Sequence, residues 1–386
     1  MNILLLTPGI NKKYNDNFYS YKYIADCGNY ILALSNRQTI TKCGDLEKAQ
    51  LYESTNNVII YRIFDTLKEQ NNFIIRKKKY RIIKKIVSNF KPHIIFCENA
   101  NNMPIATQLK KDFNIPILLR LEFLLNKKYP YQMIGKEKLL RNRITGDYLG
   151  ILFGKIIEKL VCKNADAIIT CYFLDLKRKS EFKDKLFFFV PWPTYVPHRY
   201  NERKCEHRAI YIGALDSHKN IKEFEKILPE IFAKTPIKEF IFVGTGRDLH
   251  LIMELKKKYP DRIILINFLP REECLRLIAS SFVAISPAII GGWGFIGDAW
   301  ATGTPIIVTH NHYNFKNKMD AIVTSPDNIA DSINELYQNP QLYESIINAG
   351  YHRFRTHHDA QLIGAKYYEI CKLTINKFQR SHERMS

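Results

Sequence analysis

Short unbroken apolar runs alternate with amphipathic stretches along the whole chain. In the first half the runs are Ile3–Leu6, Ile31–Leu34, Val58–Arg62, His93–Phe96, Ile117–Arg120, Ala167–Thr170 and Phe187–Val190. In the second they are Ala209–Ile212, Glu239–Val243, Ile263–Ile266, Val283–Ser286, Pro305–Val308 and Ala321–Val323. A strand that is apolar on consecutive residues, not on alternate ones, is buried on both faces. Sheets of such strands are parallel and covered by helices on either side. The two series meet at Val190–Pro197, a proline-rich link that leads into the polar run His198–Arg208. The expectation is an α/β protein of two tandem, doubly wound, Rossmann-like domains, 1–190 and 198–355, with a ligand cleft between them and a hinge at Pro191–Pro197. Pro340–Phe378 reads as one long or broken helix with Tyr351, Phe354, Leu362, Tyr367 and Tyr368 on its apolar side. Its last part, 356–386, is expected to pack back across the first domain or to cap the second.

A chain of 386 residues has room for two full cores. No apolar run approaches the roughly 20 residues of a membrane span. Met1–Pro8 is a short apolar run without a basic leader or cleavage site, so it reads as a first buried strand and not as a signal peptide. The eight cysteines are scattered without a CxxC pair. This suits a reduced, cytoplasmic protein with neither zinc nor a disulfide framework. His310 and His312 have metal-like spacing but no third ligand near them in sequence, and they read as polar loop residues. The formal charge of +20 favours polyanions such as nucleic acid, anionic lipid or phosphorylated small molecules. A general richness in Lys, Ile and Asn explains the same number without any partner.

The most informative stretch is Ser286–Val308. The strand ending at Ser286 gives way to a glycine cluster, Gly291, Gly292, Gly294 and Gly297, followed by Asp298. Asp298–Ala301 reads as the first turn of a helix, Gly303 closes it, and Pro305 opens the next strand. A strand, glycine loop, helix and strand in this order aim unpaired N–H groups and a helix dipole at one spot, which suits phosphate or pyrophosphate. An acid on the first helical turn suits a sugar or ribose hydroxyl. Glycines also serve turn geometry alone, and that reading stands beside the first.

Four segments in the right order resemble the retaining glycosyltransferases of the two-Rossmann-domain GT-B type, family 4 and its relatives. They are Ala209–Asn220 with Gly213 and Lys219, Phe240–Arg247 with Gly244 and Gly246, Phe268–Ile278, and Asp298–Pro305. In the first half Pro92–Glu98, Ile115–Glu122 and Ala165–Thr170 follow the same strand order more loosely. The resemblance implies a sugar transfer from a nucleotide-sugar co-substrate, with no other cofactor and no metal, to a glycan or lipid-linked acceptor. It puts the donor on Gly213, Lys219, Gly244, Arg247, Gly291, Gly292, Trp293, Gly294 and Asp298. Lys219 and Asp298 are then the residues nearest the chemistry, and Lys219 would neutralise the leaving diphosphate. Glu98 and Glu122, at the ends of first-domain strands, are the acceptor candidates.

Departures from the family pattern are plain. Of its two glutamates with seven residues between them, the second is Asp298 and the first is Ile290. Its arginine after the first glycine is Ala214, for which Arg247 is a candidate replacement. A histidine after the strand ending near Arg120 is missing, and the loop at Pro8–Ile10 has one glycine where the family has a pair. These keep open a nucleotide-sugar-binding protein without turnover. A DNA-modifying or nucleic-acid-binding protein on the same fold, suggested by charge alone, ranks lower for want of any recognition motif. A nucleotide-sugar epimerase reusing the donor site also remains open. Two basic amphipathic segments, Arg76–Lys85 with Ile75, Ile82, Ile83 and Ile86, and Lys127–Arg143 with Tyr129, Tyr131, Met133, Leu139 and Leu140, fit either an anionic membrane surface or ordinary solvated helix faces.

Overall fold

A computed structural model describes residues 1–8, 16–40, 46–121, 162–171, 179–200, 202–289, 291–311 and 313–383. Glu122, the segment Lys127–Arg143, Ile290 and His312 lie outside the described residues. The chain divides into two compact units, crossing between them at Pro191–Trp192 and again at Asp359–Ala360.

The first unit is built on an eight-stranded sheet of order β10-β9-β8-β7-β1-β2-β6-β5. Its strands are β1 (Asn2–Leu6), β2 (Tyr30–Asn36), β5 (Tyr52–Thr55), β6 (Val58–Phe64), β7 (Ile94–Glu98), β8 (Ile117–Leu121), β9 (Ala167–Thr170) and β10 (Leu186–Phe189). A separate antiparallel ribbon joins β3 (Gln38–Ile40) and β4 (Leu46–Lys48). Side chains alternate between two cores. Leu4 and Leu6 of β1 face one with Ile83, Val87 and Leu109, from α3 (Phe73–Phe90) and α4 (Met103–Phe113). Ile3 and Leu5 face the other with Phe18, Tyr21 and Ile24 of α1 (Asp16–Asp26) and Ile363, Tyr367 and Ile370 of the C-terminal helix Ala360–Glu383. That helix therefore belongs to the first unit. It closes on α1 where Gly364 has no side chain to hold off the Ser20 carbonyl.

The expected runs are all strands, but the sheet also carries an antiparallel edge. β5 pairs antiparallel with β6 through a turn at Asn56, which has φ 45°. Its sequence, Tyr-Glu-Ser-Thr, is largely exposed, so it offers no apolar run to read.

The second unit holds a wholly parallel six-stranded sheet of order β13-β12-β11-β14-β15-β16. The strands are β11 (Cys205–Ile212), β12 (Glu239–Val243), β13 (Ile263–Ile266), β14 (Ser281–Ser286), β15 (Ile306–Val308) and β16 (Ile322–Val323). Counted within the unit this is the order 3-2-1-4-5-6. It reverses between β11 and β14, and ligands of such sheets gather outside the carboxyl ends of the strands at that switch point.

Candidate functional site

Two loops leave the switch point of the second unit. The one after β11 runs from Gly213 through a short 3-10 turn at Ser217–Lys219. The one after β14 runs through Gly291 and Gly292 into the helix Trp293–Ala301. Gly291 and Gly292 are both left-handed, with φ 72° and 83°, a conformation costly to any residue with a Cβ. Gly291 has a second reason to be glycine. A Cβ built on it would stand 2.6 Å from Lys219 Nζ, so the missing side chain is the space the ammonium occupies. Gly292 caps the helix without a side chain, and the first intrahelical bond is Ile296 N–H to the Gly292 carbonyl. The N–H groups of Trp293, Gly294 and Phe295 therefore have no partner within the helix. A cation, the positive end of a helix dipole and a row of free-pointing amides converge on one place, as an anion requires. Burial lowers the Lys219 pKa, with Asp216 partly opposing the shift.

Gly213 and Gly244 meet in the neighbouring turn. A Cβ on Gly244 would collide with the Gly213 carbonyl, so the loops after β11 and β12 touch backbone to backbone. Arg247 follows, with its backbone N–H 2.9 Å and its Nε 3.4 Å from Asp216 Oδ1. Its side chain is 81% exposed and leans on that acid. Ala214, the position it was expected to replace, gives its carbonyl to the Tyr211 hydroxyl at 3.0 Å.

Two expectations need correction. Asp298 does not sit on the first helical turn, because the helix begins at Trp293 and Asp298 lies on its second turn. Nor is its carboxylate open to a sugar. It is 6% exposed, and Arg271 grips both oxygens, Nη2 to Oδ1 at 2.8 Å and Nη1 to Oδ2 at 3.2 Å. The same Arg271 Nη2 donates to the Tyr195 carbonyl at 2.9 Å. Trp293 brings only its backbone to the loop. Its indole is buried, stacks on His358 at 4.0 Å, and donates to Thr194 Oγ1 at 3.1 Å. Gly294 is the opposite case: a Cβ there would meet nothing within 4 Å. His310 is half-buried beside Thr309, its ring Nδ1 2.8 Å from the hydroxyl, and burial lowers its pKa.

Residues 206–339 match the family model described as Glycosyl transferases group 1. The chain carries a group 1 glycosyltransferase domain. No curated protein matches it in sequence. Among solved structures it is similar to a sucrose-phosphate synthase from Thermosynechococcus elongatus, at 16% identity and TM-score 0.77, over 98% of this chain and 100% of that one. HepE from Anabaena in complex with UDP-glucose matches at 11% identity and TM-score 0.64, over 96% and 99%. An alpha-glucosyltransferase in complex with UDP-glucose and DNA containing an abasic site matches at 12% and 0.59, over 96% and 99%. The fold of the chain is thus GT-B, two Rossmann-like domains.

The first unit has a second switch point, between β1 and β7. Glu98, proposed from sequence as an acceptor ligand, ends β7 there, but it is 3% exposed. Its Oε1 accepts from the Tyr21 hydroxyl and from Arg120 Nη1 at 2.9 Å. Glu98 and Arg120 are register partners on adjacent strands, under α1 and the C-terminal helix. Burial, with Glu98 adding to it, holds the Tyr21 phenol well above its ordinary pKa. Glu98 is therefore a buried counter-charge and not an acceptor ligand.

Sequence reasoning missed an amide ladder at the same edge. Gln70 Nε2 donates to the Thr7 carbonyl at 2.9 Å and to Asn102 Oδ1 at 3.0 Å. Asn36 Nδ2 donates to Gln70 Oε1 at 2.9 Å and to the Pro8 carbonyl. Asn102 Nδ2 donates to the Glu98 carbonyl at 2.9 Å. Three buried amides thus pin the loops that follow β1, β2 and β7. The available signal was an amide just beyond an apolar run, as at Asn36 and Asn102.

Proposed function

We propose that this glycosyltransferase moves a sugar from a nucleoside-diphosphate sugar to a glycan or lipid-linked acceptor, with retention and without a metal, at the cytoplasmic face of a membrane. The observation that carries the reading is the meeting of Lys219 Nζ with Gly291 at the open N-terminus of helix Trp293–Ala301. Breaking the bond between the sugar C1 and the diphosphate oxygen leaves charge on the diphosphate. A fixed ammonium and amides already aimed at that charge stabilise it more in the transition state than in the ground state. The acceptor oxygen bonds C1, and its proton passes to the leaving diphosphate, so the reaction needs no protein base. That is consistent with Glu98 being enclosed. Uridine diphosphate sugars come first among candidate donors, because two of the similar structures carry UDP-glucose by their titles.

The test is thermal stabilisation by a panel of nucleoside diphosphates and their sugars, with Lys219→Ala in parallel. The reading expects one nucleotide to raise the melting temperature of the wild type and to lose most of that effect in the variant. A folded wild type that no donor stabilises, or a shift indifferent to Lys219, would sink it. The engagement of Asp298 by Arg271 favours a second reading, binding without turnover. Release of the nucleoside diphosphate in the presence of lipid extracts separates the two.

A further inference from the structure

Helix α3, Phe73–Phe90, contains seven basic residues and no acidic one, and its basic residues fall into two sets. Three point to partners within the first unit. Arg76 Nη1 donates to the Asn101 carbonyl at 2.6 Å. Lys79 Nζ donates to the Ile63 carbonyl at 2.6 Å and lies 3.6 Å from Glu69. Lys84 pairs with Asp112 at 2.8 Å, and Tyr80 donates to the same carboxylate. Ile83 and Val87 anchor the helix in the core. The other four, Lys77, Lys78, Arg81 and Lys85, lie on the outward face and are exposed. Among the described residues none of the four has an ion-pair partner. With them on that face stand Ile74 and Ile82, 63% and 56% exposed.

We infer that this outward face of α3 docks the protein on an anionic lipid bilayer. The combination selects the partner. Four cations without counter-ions match a negative surface, and each contributes about a fivefold gain in partitioning there. Two large aliphatic side chains among them find no use on a polyphosphate backbone, whereas at a bilayer they enter the boundary between headgroups and acyl chains. The helix spans about 27 Å, long enough to lie in the plane of the interface. It is also placed to matter. Its N-terminal end is tied by Arg76 to the loop after β7, at the carboxyl edge of the first unit's sheet. A bilayer under α3 therefore lies alongside the edge where this unit's ligands gather. The inference rests on the proposed lipid-linked acceptor for its purpose, but lipid binding is measurable without any transfer.

The experiment is flotation of the full chain with phosphatidylcholine vesicles, with and without phosphatidylglycerol, beside a titration with duplex DNA. Two charge-matched triple variants accompany it: Lys77→Glu, Lys78→Glu, Arg81→Glu on α3, and Lys256→Glu, Lys257→Glu, Lys258→Glu on the second unit. A third variant, Ile74→Ser with Ile82→Ser, keeps the charge. The expected result is binding to anionic vesicles only, weakened at least about a hundredfold by the α3 triple and about tenfold by the serine pair, but little by the control. Melting curves and the nucleotide-induced shift on the same preparations show that each variant is folded. They also show whether the donor site stands when the membrane inference fails. Equal weakening by both triples, no vesicle binding at all, or an α3-dependent affinity for DNA unmatched by vesicles would overturn the inference.

Discussion

Replacing Gly294 by alanine should stabilise the protein and weaken donor binding at once, a pairing that few substitutions produce. Gly294 is the second residue of helix Trp293–Ala301, and a Cβ there has open space around it. Alanine in a helix is favoured over glycine by up to about 1 kcal/mol, partly through the unfolded chain. Near a helix start roughly half of that is a fair expectation, about 0.5 kcal/mol. For a domain of ordinary size this raises the melting temperature by about 1–2 °C. The open space is also where a phosphate or sugar seated on the helix N-terminus would lie. A methyl group intruding on a fitted ligand costs about 1–3 kcal/mol, or roughly 5- to 150-fold in affinity. Scanning calorimetry reads the first number and titration calorimetry with the stabilising nucleotide reads the second. Gly291→Ala is the contrast. Its left-handed backbone and the 2.6 Å approach of Lys219 Nζ should lower both stability and affinity. A Gly294→Ala protein that binds its donor like the wild type would place the ligand away from the helix N-terminus and refute the site. One that melts lower would refute the helix start.

Three further outcomes follow from buried charges. Arg271→Ala removes the guanidinium that neutralises the buried Asp298 carboxylate, and chemical denaturation should show a loss of about 3–5 kcal/mol, largely recovered when Asp298→Leu is added. Lys204 is half-buried, with its Nζ 2.7 Å from Thr304 Oγ1, and burial depresses its pKa to about 7. Below that pH both folded and unfolded chains carry the charge and the full burial penalty applies. Between pH 7 and the ordinary lysine range the folded chain sheds the proton first, so the penalty fades and stability rises with pH. Lys204→Met should therefore stabilise the protein at pH 6 by roughly 2–4 kcal/mol and flatten that rise, as denaturant midpoints across pH would reveal. At Lys219 the pKa is also lowered, by burial. A bound diphosphate favours the ammonium, so binding should take up a proton and weaken as pH climbs toward the lowered value; titration calorimetry in buffers of different ionisation enthalpy measures the uptake, and none at any pH would contradict a Lys219–diphosphate contact.

What the sequence disclosed, and what it hid, depends on whether the physics is local. Ile3–Leu6 or Phe240–Val243 announce buried parallel strands because burial on both faces is written into consecutive residues. Lys219 and Gly291 read from the sequence as separate donor residues, and the fold sets them in contact because both follow strands flanking the switch point. The enclosure of Asp298 is not legible, because its partner, Arg271, opens a helix 27 positions earlier and nothing between them encodes the pairing. The start of its helix was hidden as well. Gly292, Gly294 and Gly297 look like loop residues, yet at Gly297 the absent Cβ is what admits the Thr194 hydroxyl against the helix. The pairing of Glu98 is closer to local. Phe96 and Glu98 share one strand face, Leu118 and Arg120 share the same face of the next strand, and in-register pairing makes the two charges meet. Two opposite charges of like parity at the ends of adjacent apolar runs are thus a readable sign of a buried pair. By parity alone the acid at the end of β7 belongs to the core, where the guanidinium of the next strand meets it.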